Sequence, residues 1–300
     1  MDVVVVGGGI VGLASAYSLA ERGADVILCE KGQLGHGSTE RSVGGIRAQF
    51  AHPTNIELSL ESIEVWEEFE ETFGVDIAYR RSGYLFLARE ADTASALEES
   101  VALQHEYGVP SEYLDAGAAT EHCPALHTDR YRAGSFSPTD GFADPHLALQ
   151  GYSEAATSAG VDIRTGTPVS AVHTRDGTVL GVTAGGERLE ADYVVNAAGP
   201  WAAELAAMAG IDLPVSPRRR QVLVVDPSRE LPETVPLTID LDIGSYFRPE
   251  REGTALVGGH FADHDPAVDP DHFRTSFELE WAATALDRAA DVAGYFDDES

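Results

Sequence analysis

The sequence predicts an α/β fold in which a parallel-sheet unit carrying an inserted β-meander is interleaved with an α+β unit built on an antiparallel sheet. Three observations predict it. A β-branched run, Val3 to Val6, leads into Gly7-x-Gly9-x-x-Gly12 and then into an apolar helical pattern. Alternating segments punctuated by Asp176-Gly177 and Gly185-Gly186 occupy the middle of the chain, and short β-type segments follow Gly210. With 300 residues, 43% of them hydrophobic, the chain is too apolar for disorder and long enough for two domains.

Val3 to Val6 is apolar on both faces, as a central parallel strand requires. In the glycine run, Gly7 permits a tight turn, Gly9 lets the backbone approach a pyrophosphate, and Gly12 lets the next helix pack closely on the strand. Ile10, Leu13, Ala14 and Tyr17 recur at helical spacing, Ala16 extends the small-residue face, and Gly23 stops the helix. The first amides of that helix, at Ile10 and Val11, then point at an anion. Asp25 to Glu30 reads as a second strand whose terminal acid falls eighteen positions after Gly12, where a ribose-binding carboxylate is expected. Glu30, with Lys31 beside it, completes the pattern of a Rossmann-type dinucleotide site. These residues leave NAD and FAD both open.

Val169 to Thr174, Val179 to Thr183 and Arg188 to Ala197 alternate as strands joined by hairpin chemistry, a β-meander that ends in Asn196-Ala197-Ala198-Gly199-Pro200-Trp201. Strand, glycine turn, inserted meander and second small-residue turn together resemble the FAD domain of the D-amino-acid oxidase and sarcosine oxidase family. The resemblance implies FAD, with Val169, Ala197, Gly199 and Trp201 beside it. The stretch from Gly37 to Arg47 is small, polar and glycine-rich, a composition that lets a loop lie against a flavin and its phosphates. It is similar to the family segment that runs along the flavin, which implies contacts from Ser38, Arg41 and Ser42 and a substrate carboxylate held by Arg47. Arginine suits that task because its planar fork binds a carboxylate through two hydrogen bonds.

Thr54-x-x-Glu57 reads as a capping box opening a helix that buries Ile56, Leu60, Ile63, Trp66, Phe69 and Phe73 and ends at Gly74. A strand from Tyr84 to Ala88 and a helix from Asp92 to Tyr107 begin a different unit, and Thr139 to Pro145 resembles the family's return to the FAD domain. Short strands at Gln221 to Val225, Ser245 to Arg248 and Ala255 to Gly258 suit an antiparallel sheet roofing the flavin, followed by a helix from Glu278 to Ala290. Tyr246 and His260 resemble positions lining the family's active site, around the substrate amine. The division expected is FAD-binding residues 1–80 and 144–210, substrate-domain residues 81–143 and 211–300. Family members continue with a segment that returns to the FAD domain, and nothing in Val292 to Ser300 supplies it. A partner chain or a missing C-terminal segment is therefore expected to complete the flavin site.

The resemblance implies oxidation of the C–N bond of an amino acid or N-methyl amino acid by hydride transfer to flavin. Neither the particular amine nor the electron acceptor is read from the residues. Two alternatives stand beside it: a flavoprotein without turnover or dependent on a partner, since an assembly factor of respiratory complex I has a similar pattern, and an NAD-dependent dehydrogenase.

Composition narrows the classes further. Fifty acidic residues against twenty basic ones give a net charge of −30, and Lys31 is the sole lysine. Such self-repulsion is screened at high salt, so a halophilic cytoplasm is expected. The strand that begins right after Met1-Asp2 leaves no room for a leader peptide, and no apolar run is long enough to span a bilayer. Arg218-Arg219-Arg220 is the only basic cluster, so nucleic acid is not expected as a partner. Cys29 and Cys123 fit no ligand spacing, and no metal site is expected. The charge has a direct consequence: moving the protein from molar to millimolar salt is expected to lower its melting temperature and its helical circular dichroism. Identical melting curves in both would remove the salt-adapted reading.

Overall fold

The computed structural model describes residues 1–261 and 266–297. The final residues of the chain, 298–300, where part of the expected truncation falls, lie outside them. The chain opens with β1 (Asp2–Val6), α1 (Ile10–Ala20) and β2 (Asp25–Cys29), and the four valines of β1 are all buried. A long loop carries the two-residue β3 (Gly45–Ile46) and then α2 (Pro53–Glu67) and α3 (Phe69–Phe73). The expected capping box does not form. Pro53 takes the first helical position behind His52, which makes no side-chain cap, and Thr54 lies inside the helix. Nor is the helix continuous: the backbone leaves helical geometry at Glu68 (φ −94°, ψ 8°) before α3 ends on left-handed Gly74. The break turns Phe69 and Phe73 onto Tyr152, with ring centroids 5.3 and 4.8 Å away. These aromatics form core between α1, α3 and α5.

The second unit begins with β4 (Tyr84–Ala88), α4 (Ala91–Glu106), β5 (Glu112–Asp115) and β6 (Ala133–Ser137). After β7 (Gly141–Phe142), which pairs with β3, the chain returns through α5 (Pro145–Ser158) and β8 (Asp162–Arg164). The meander is β9 (Val169–Arg175), β10 (Thr178–Ala184) and β11 (Glu187–Glu190). Its turns hold Asp176, Gly177, Gly185 and Gly186 at positive φ, the geometry of tight hairpins. The last expected strand, Arg188 to Ala197, is two strands. β11 stays in the meander, while β12 (Tyr193–Asn196) joins the parallel sheet beside β1. Asp192 makes the step, its amide bonded to the Asp2 carbonyl at 2.8 Å and its carboxylate to the Asp2 amide at 3.0 Å. The chain continues through α6 (Ala202–Met208), β13 (Val222–Val225), β14 (Leu237–Asp240), β15 (Ser245–Pro249), β16 (Ala255–Gly259) and α7 (Leu279–Val292).

Two principal sheets result. One is parallel, in the order β12-β1-β2-β8; the other has seven strands, in the order β13-β16-β15-β14-β4-β6-β5. The larger sheet is antiparallel except where β14 runs parallel to β4. One face packs on α7 through Leu85, Leu87, Phe247, Val257 and Trp281. The other presents Tyr84, Phe86, Tyr246 and Leu256, partly beneath α4. Arg219 of the basic triplet braces the loop before α7, bonding to the Arg274 and Ser276 carbonyls and to Glu278. No helix among the described residues is long and apolar enough to cross a membrane.

The sheet is held in register with α7 by a buried ionic node. The Asp240 carboxylate, fully buried, accepts from Arg89 Nε at 2.6 Å, Tyr131 Oη at 2.8 Å and the amides of Asp242 and Ile243, both at 3.0 Å. Arg89 also reaches Asp291 on α7 at 2.6 Å. Replacing Asp240 with alanine leaves the Tyr131 hydroxyl without its acceptor and Arg89 with Asp291 alone, and is expected to cost about 3–5 kcal/mol, as breaking a buried pair does. Urea titrations in high salt read the loss directly; an unchanged midpoint would show that the node contributes nothing to stability.

Candidate active site

The glycine turn is shaped by close backbone approaches. A Cβ on Gly12 would lie 1.9 Å from the Gly7 carbonyl oxygen, and one on Gly7, whose φ is +112°, would lie 2.3 Å from that of Ala197. Gly9 differs: the only atom near its missing Cβ is Thr39 Oγ1 at 3.1 Å, so its free side faces a cavity. Gly9 caps α1 without a side chain; the Ile10 amide donates to Thr39 Oγ1 at 3.1 Å, and the following helix amides remain open to an anion. Glu30 stands at the tip of β2, its two carboxylate oxygens accepting from the amides of Gly8 and Gly32, each at 2.7 Å. Each oxygen retains lone-pair capacity for a ribose hydroxyl.

These groups border a cavity of about 760 Å³. Gly7, Gly9, Ile10 and Val11 line it from the turn and α1, Glu30 and Lys31 from β2, and Ser38 and Ser42 from the following loop. Val169, Ala197, Gly199 and Trp201 close the opposite side. Gly12 is buried beneath this surface, where its role is packing, and Arg41 turns away to bind the His36 and Gly37 carbonyls at 2.7 Å and Glu40 at 2.7 Å. Lys31 Nζ sits 3.4 Å from the centre of the Trp201 ring and 2.8 Å from Asp271 Oδ1, which also accepts from the Trp201 indole at 3.0 Å. The hydrogen bond from Lys31 holds the Asp271 carboxyl below its usual range. Sequence reading missed Asp271, because no local pattern ties a loop after β16 to the end of β2.

A second cavity, of about 520 Å³, shares Ile10, Thr39 and Ser42 with the first and extends beneath Gly44 to Arg47 toward Tyr84 and α2. Arg47 lies in an aromatic bed, its guanidinium carbon 4.5 Å from the Phe50 centroid, 5.3 Å from Phe86 and 6.0 Å from Tyr84. It makes no hydrogen bond or ion pair among the described residues. Tyr84 also lines this cavity while being 5% exposed, and its hydroxyl has no hydrogen-bond partner among the described residues. Burial pushes its phenol up, with Arg47 pulling the other way, so it remains a neutral donor. A Cβ on Gly45 would fall 2.0 Å from that hydroxyl, so glycine there is what lets the phenol reach the loop. Sequence reading took Tyr84 for a plain strand residue.

Tyr246 and His260 line neither cavity. Tyr246 is buried in the apolar cluster that contains Tyr84 and Phe86, and its register partner Ile239 pairs in turn with Phe86. It therefore stands two interstrand spacings, about 10 Å, from the strand that beds Arg47. His260 is exposed at the end of β16, its ring centroid 5.6 Å from that of Tyr246. The loop that carries Arg47 is fixed from the roof: Arg248 of β15, stacked 4.2 Å over Phe142, donates to the Val43 carbonyl at 3.3 Å.

The open helix N-terminus, the acid-tipped second strand and the two joined cavities define a dinucleotide-binding protein with a second chamber beyond the cofactor cradle. The family profile described as "FAD dependent oxidoreductase" (DAO) matches residues 2–296. The chain is 32% identical to FAD-dependent oxidoreductase domain-containing protein 1 of Xenopus laevis, over 93% of this chain and 63% of that protein. It is 31% identical to the mitochondrial dimethylglycine dehydrogenase of Rattus norvegicus, over 84% of this chain and 30% of that protein. The crystal structure of L-proline dehydrogenase from P. horikoshii superposes with a TM-score of 0.87 at 28% identity, covering 98% of this chain and 77% of that one. The chain belongs to the FAD-dependent oxidoreductase family, and FAD is its cofactor. It spans less than two thirds of the length of the curated relatives named here.

The cradle fits FAD because Gly9 leaves its free side open to the cavity and Glu30 offers unused acceptor capacity. Replacing Glu30 with alanine removes the carboxylate between Gly8 and Gly32 and is expected to weaken FAD binding by about 1.5–3 kcal/mol, the range for hydrogen bonds to charged groups. Flavin content after gel filtration measures this, and occupancy equal to that of the unmodified protein would sink the ribose assignment.

Proposed function

We propose that this chain carries the core of a flavoenzyme that oxidises the C–N bond of an amino acid or N-methyl amino acid. The observation that carries the reading is Arg47, a cation held among aromatic rings with no ion pair or hydrogen bond to its guanidinium among the described residues, in the chamber that continues from the cofactor cavity. A partly buried charge left unpaired is unfavourable unless a ligand supplies its partner. The names of two relatives support the choice of ligand: dimethylglycine and proline both join a carboxylate to an α-carbon whose nitrogen bears additional carbon.

In this reading the Arg47 fork grips the substrate carboxylate, and the Tyr84 hydroxyl, which has no partner of its own, is placed to donate a further hydrogen bond. Gripping one end of a small molecule fixes which carbon is presented to the cofactor chamber, and that orientation is most of what a protein contributes to such a reaction. When bound, FAD supplies a two-electron acceptor for hydride. Tyr246 and His260 line neither cavity and are given no substrate contact in this reading. Ser38 and Ser42 are assigned to the cofactor from the loop side, with residues 1–80 and 144–210 forming the cofactor unit and 81–143 and 211–300 the substrate unit.

A partner-dependent form of the same activity is supported by the rim of the cofactor cavity. Met208 and Val215 line it yet are 40% and 42% exposed. Apolar surface of this kind is commonly covered by further polypeptide, either a continuation of the chain or a second subunit. Anaerobic mixing of the flavin-loaded protein with glycine, sarcosine, dimethylglycine, proline and D-alanine tests the activity through bleaching of the flavin band. A protein that no carboxylated amine reduces, alone or with a partner, does not have this function.

Arg47 offers a sharper test. Lysine in its place keeps the charge and loses the fork, while alanine loses both, so carboxylate inhibitors are expected to bind progressively more weakly, by about 1.5–3 kcal/mol for alanine. The flavin spectrum is expected to stay the same. Titration of an acidic inhibitor against flavin absorbance gives the answer, and equal affinities in all three proteins would take Arg47 out of the site.

A further inference from the structure

Behind Arg47 lies a second charged group that the proposed reaction does not use. Asp140, in the turn between β6 and β7, is fully buried. Its Oδ1 accepts from the Ala48 amide at 2.9 Å and from Ser137 Oγ at 3.4 Å, while Oδ2 has no hydrogen-bond partner. Ala48 directly follows Arg47. The next residue, Gln49, is buried too, donating to the Tyr84 carbonyl at 2.9 Å and accepting from Ser135 Oγ at 3.0 Å. Three hydrogen bonds, one from the Ala48 amide and two through the Gln49 side chain, thus fasten the segment just after Arg47 to the seven-stranded sheet and its turn, while the guanidinium makes no hydrogen bond among the described residues.

The groups facing Asp140 come from three segments. The loop contributes Arg47, and β4 contributes the Tyr84 phenol. The segment before β4 contributes Tyr79, whose hydroxyl bonds to the Thr139 carbonyl at 3.2 Å; the next two residues, Arg80 and Arg81, pair instead with Glu233 at 3.9 Å and Glu67 at 2.8 Å. Burial raises both phenols, so Arg47 is the charged neighbour without an ion-pair partner. Burial likewise drives the Asp140 carboxyl up, against the pull of the Ala48 hydrogen bond, the nearby Gln49 amide groups and Arg47, to about 6.

We propose that Asp140 is the buried counter-charge and positioning residue of Arg47, and that its charge sets how strongly the Arg47 site binds a carboxylate. The inference rests on the reading of Arg47 given above. Two anions, one built in and one arriving, then share a single guanidinium. Each weakens the other, so protonating Asp140 strengthens carboxylate binding, and by reciprocity a bound carboxylate raises the proton affinity of Asp140 by the same factor. The sign follows: carboxylate binding is weaker above about pH 6, where Asp140 is ionised, and tighter below it.

The test uses the flavin-loaded full chain, benzoate as an anionic probe and benzamide as its neutral counterpart, with flavin difference spectra between about pH 5.5 and about pH 8. Benzoate affinity is expected to rise about fivefold or more on going down through this range, the usual size of a coupling between sites. Asp140→Asn keeps an oxygen for the Ala48 amide but removes the charge, so its benzoate affinity is expected to be flat with pH and equal to the tight limit of the unmodified protein. Asp140→Ala also loses the Ala48 anchor and is expected to bind benzoate more weakly than Asp140→Asn at every pH. Benzamide shows no such profile. A histidine, His260 among them, would give a pH dependence that survives in Asp140→Asn, and that result overturns the proposal. Should the variants fail to hold flavin, calorimetry of the unmodified protein decides: benzoate binding takes up protons near pH 6 if the coupling exists and takes up none if it does not. Benzoate binding that depends on Arg47 but shows neither pH profile nor proton uptake sinks the role of Asp140 alone. Binding indifferent to Arg47→Ala sinks the reading of Arg47, and this inference with it.

Discussion

Three backbone segments meet so closely at the end of β1 that no side chain fits between them, and the rest of the molecule is arranged around that contact. Gly7 lies against both Gly12 and Ala197, at distances where an added Cβ would overlap a carbonyl oxygen. The approach of Gly12 brings α1 down onto β1, and that of Ala197 brings the end of β12 alongside. Backbone bonds extend the arrangement on both sides, from the Ala197 amide to the Val6 carbonyl and from the Gly7 amide to the Cys29 carbonyl, both at 2.9 Å. Because β1 is hemmed in by β2 and β12, the meander inserted between β8 and β12 must leave the sheet and return. It does so by stepping across at Asp192. The cofactor cradle is the space left above the contact, and it exists because the residues below it have no side chains to fill it.

The second sheet is positioned against this cradle by arginines used in different ways. Arg89 is consumed internally by Asp240 and Asp291 and keeps the sheet in register with α7. Arg248 and Arg251 bind outward, to the Val43 carbonyl and to Asp144 at 2.6 Å, the latter also being the side-chain cap of α5. These bonds tie the roof to the loop and helix that frame the second chamber. Arg47 follows neither pattern. Its neighbours are aromatic faces, which stabilise a cation without using up its hydrogen-bond donors. An arginine held in place by rings keeps its fork available, and this physical difference sets Arg47, the binding residue of the proposed function, apart from the structural arginines.

The cradle was readable in the sequence because its constraints are local. Glycines at fixed offsets, a β-branched run before them and an acid at the end of the next strand are each required by contacts within about thirty residues, and Gly7, Gly9, Glu30 and Lys31 can be placed on that ground alone. Hairpin glycines located the turns of the meander for the same reason. The misreadings occurred where a distant partner decides the outcome. Nothing near Arg188 to Ala197 says that its two halves belong to different sheets, since the choice is made by β1. The Thr54 capping box is a sound local pattern overridden by Pro53, which suits the first helical position. Tyr84, Asp140 and Asp271 were missed because a strand tyrosine, a turn aspartate and a loop aspartate carry no signature of what the fold brings to them. Asp140 even stood within a segment singled out for its resemblance, where it was read as topology.

Under the proposed function, the bulk charge and the local charge of the site act on different parts of the substrate. A chain of net charge −30 repels free anions, but that field is screened beyond about 10 Å at moderate ionic strength and within a few ångströms at molar salt. An amino acid carries both charges and is neutral as a whole, so the distant field acts on it mainly as a weak orienting force. Close in, under the proposed function, the positive charge of Arg47, whose fork makes no ion pair among the described residues, acts on the carboxylate end. The amine end is thereby left pointing away from Arg47, toward the region shared with the cofactor cavity at Ile10, Thr39 and Ser42. Under the proposed function, one arginine placed among rings at the far end of a chamber is sufficient to decide which end of the substrate meets the flavin.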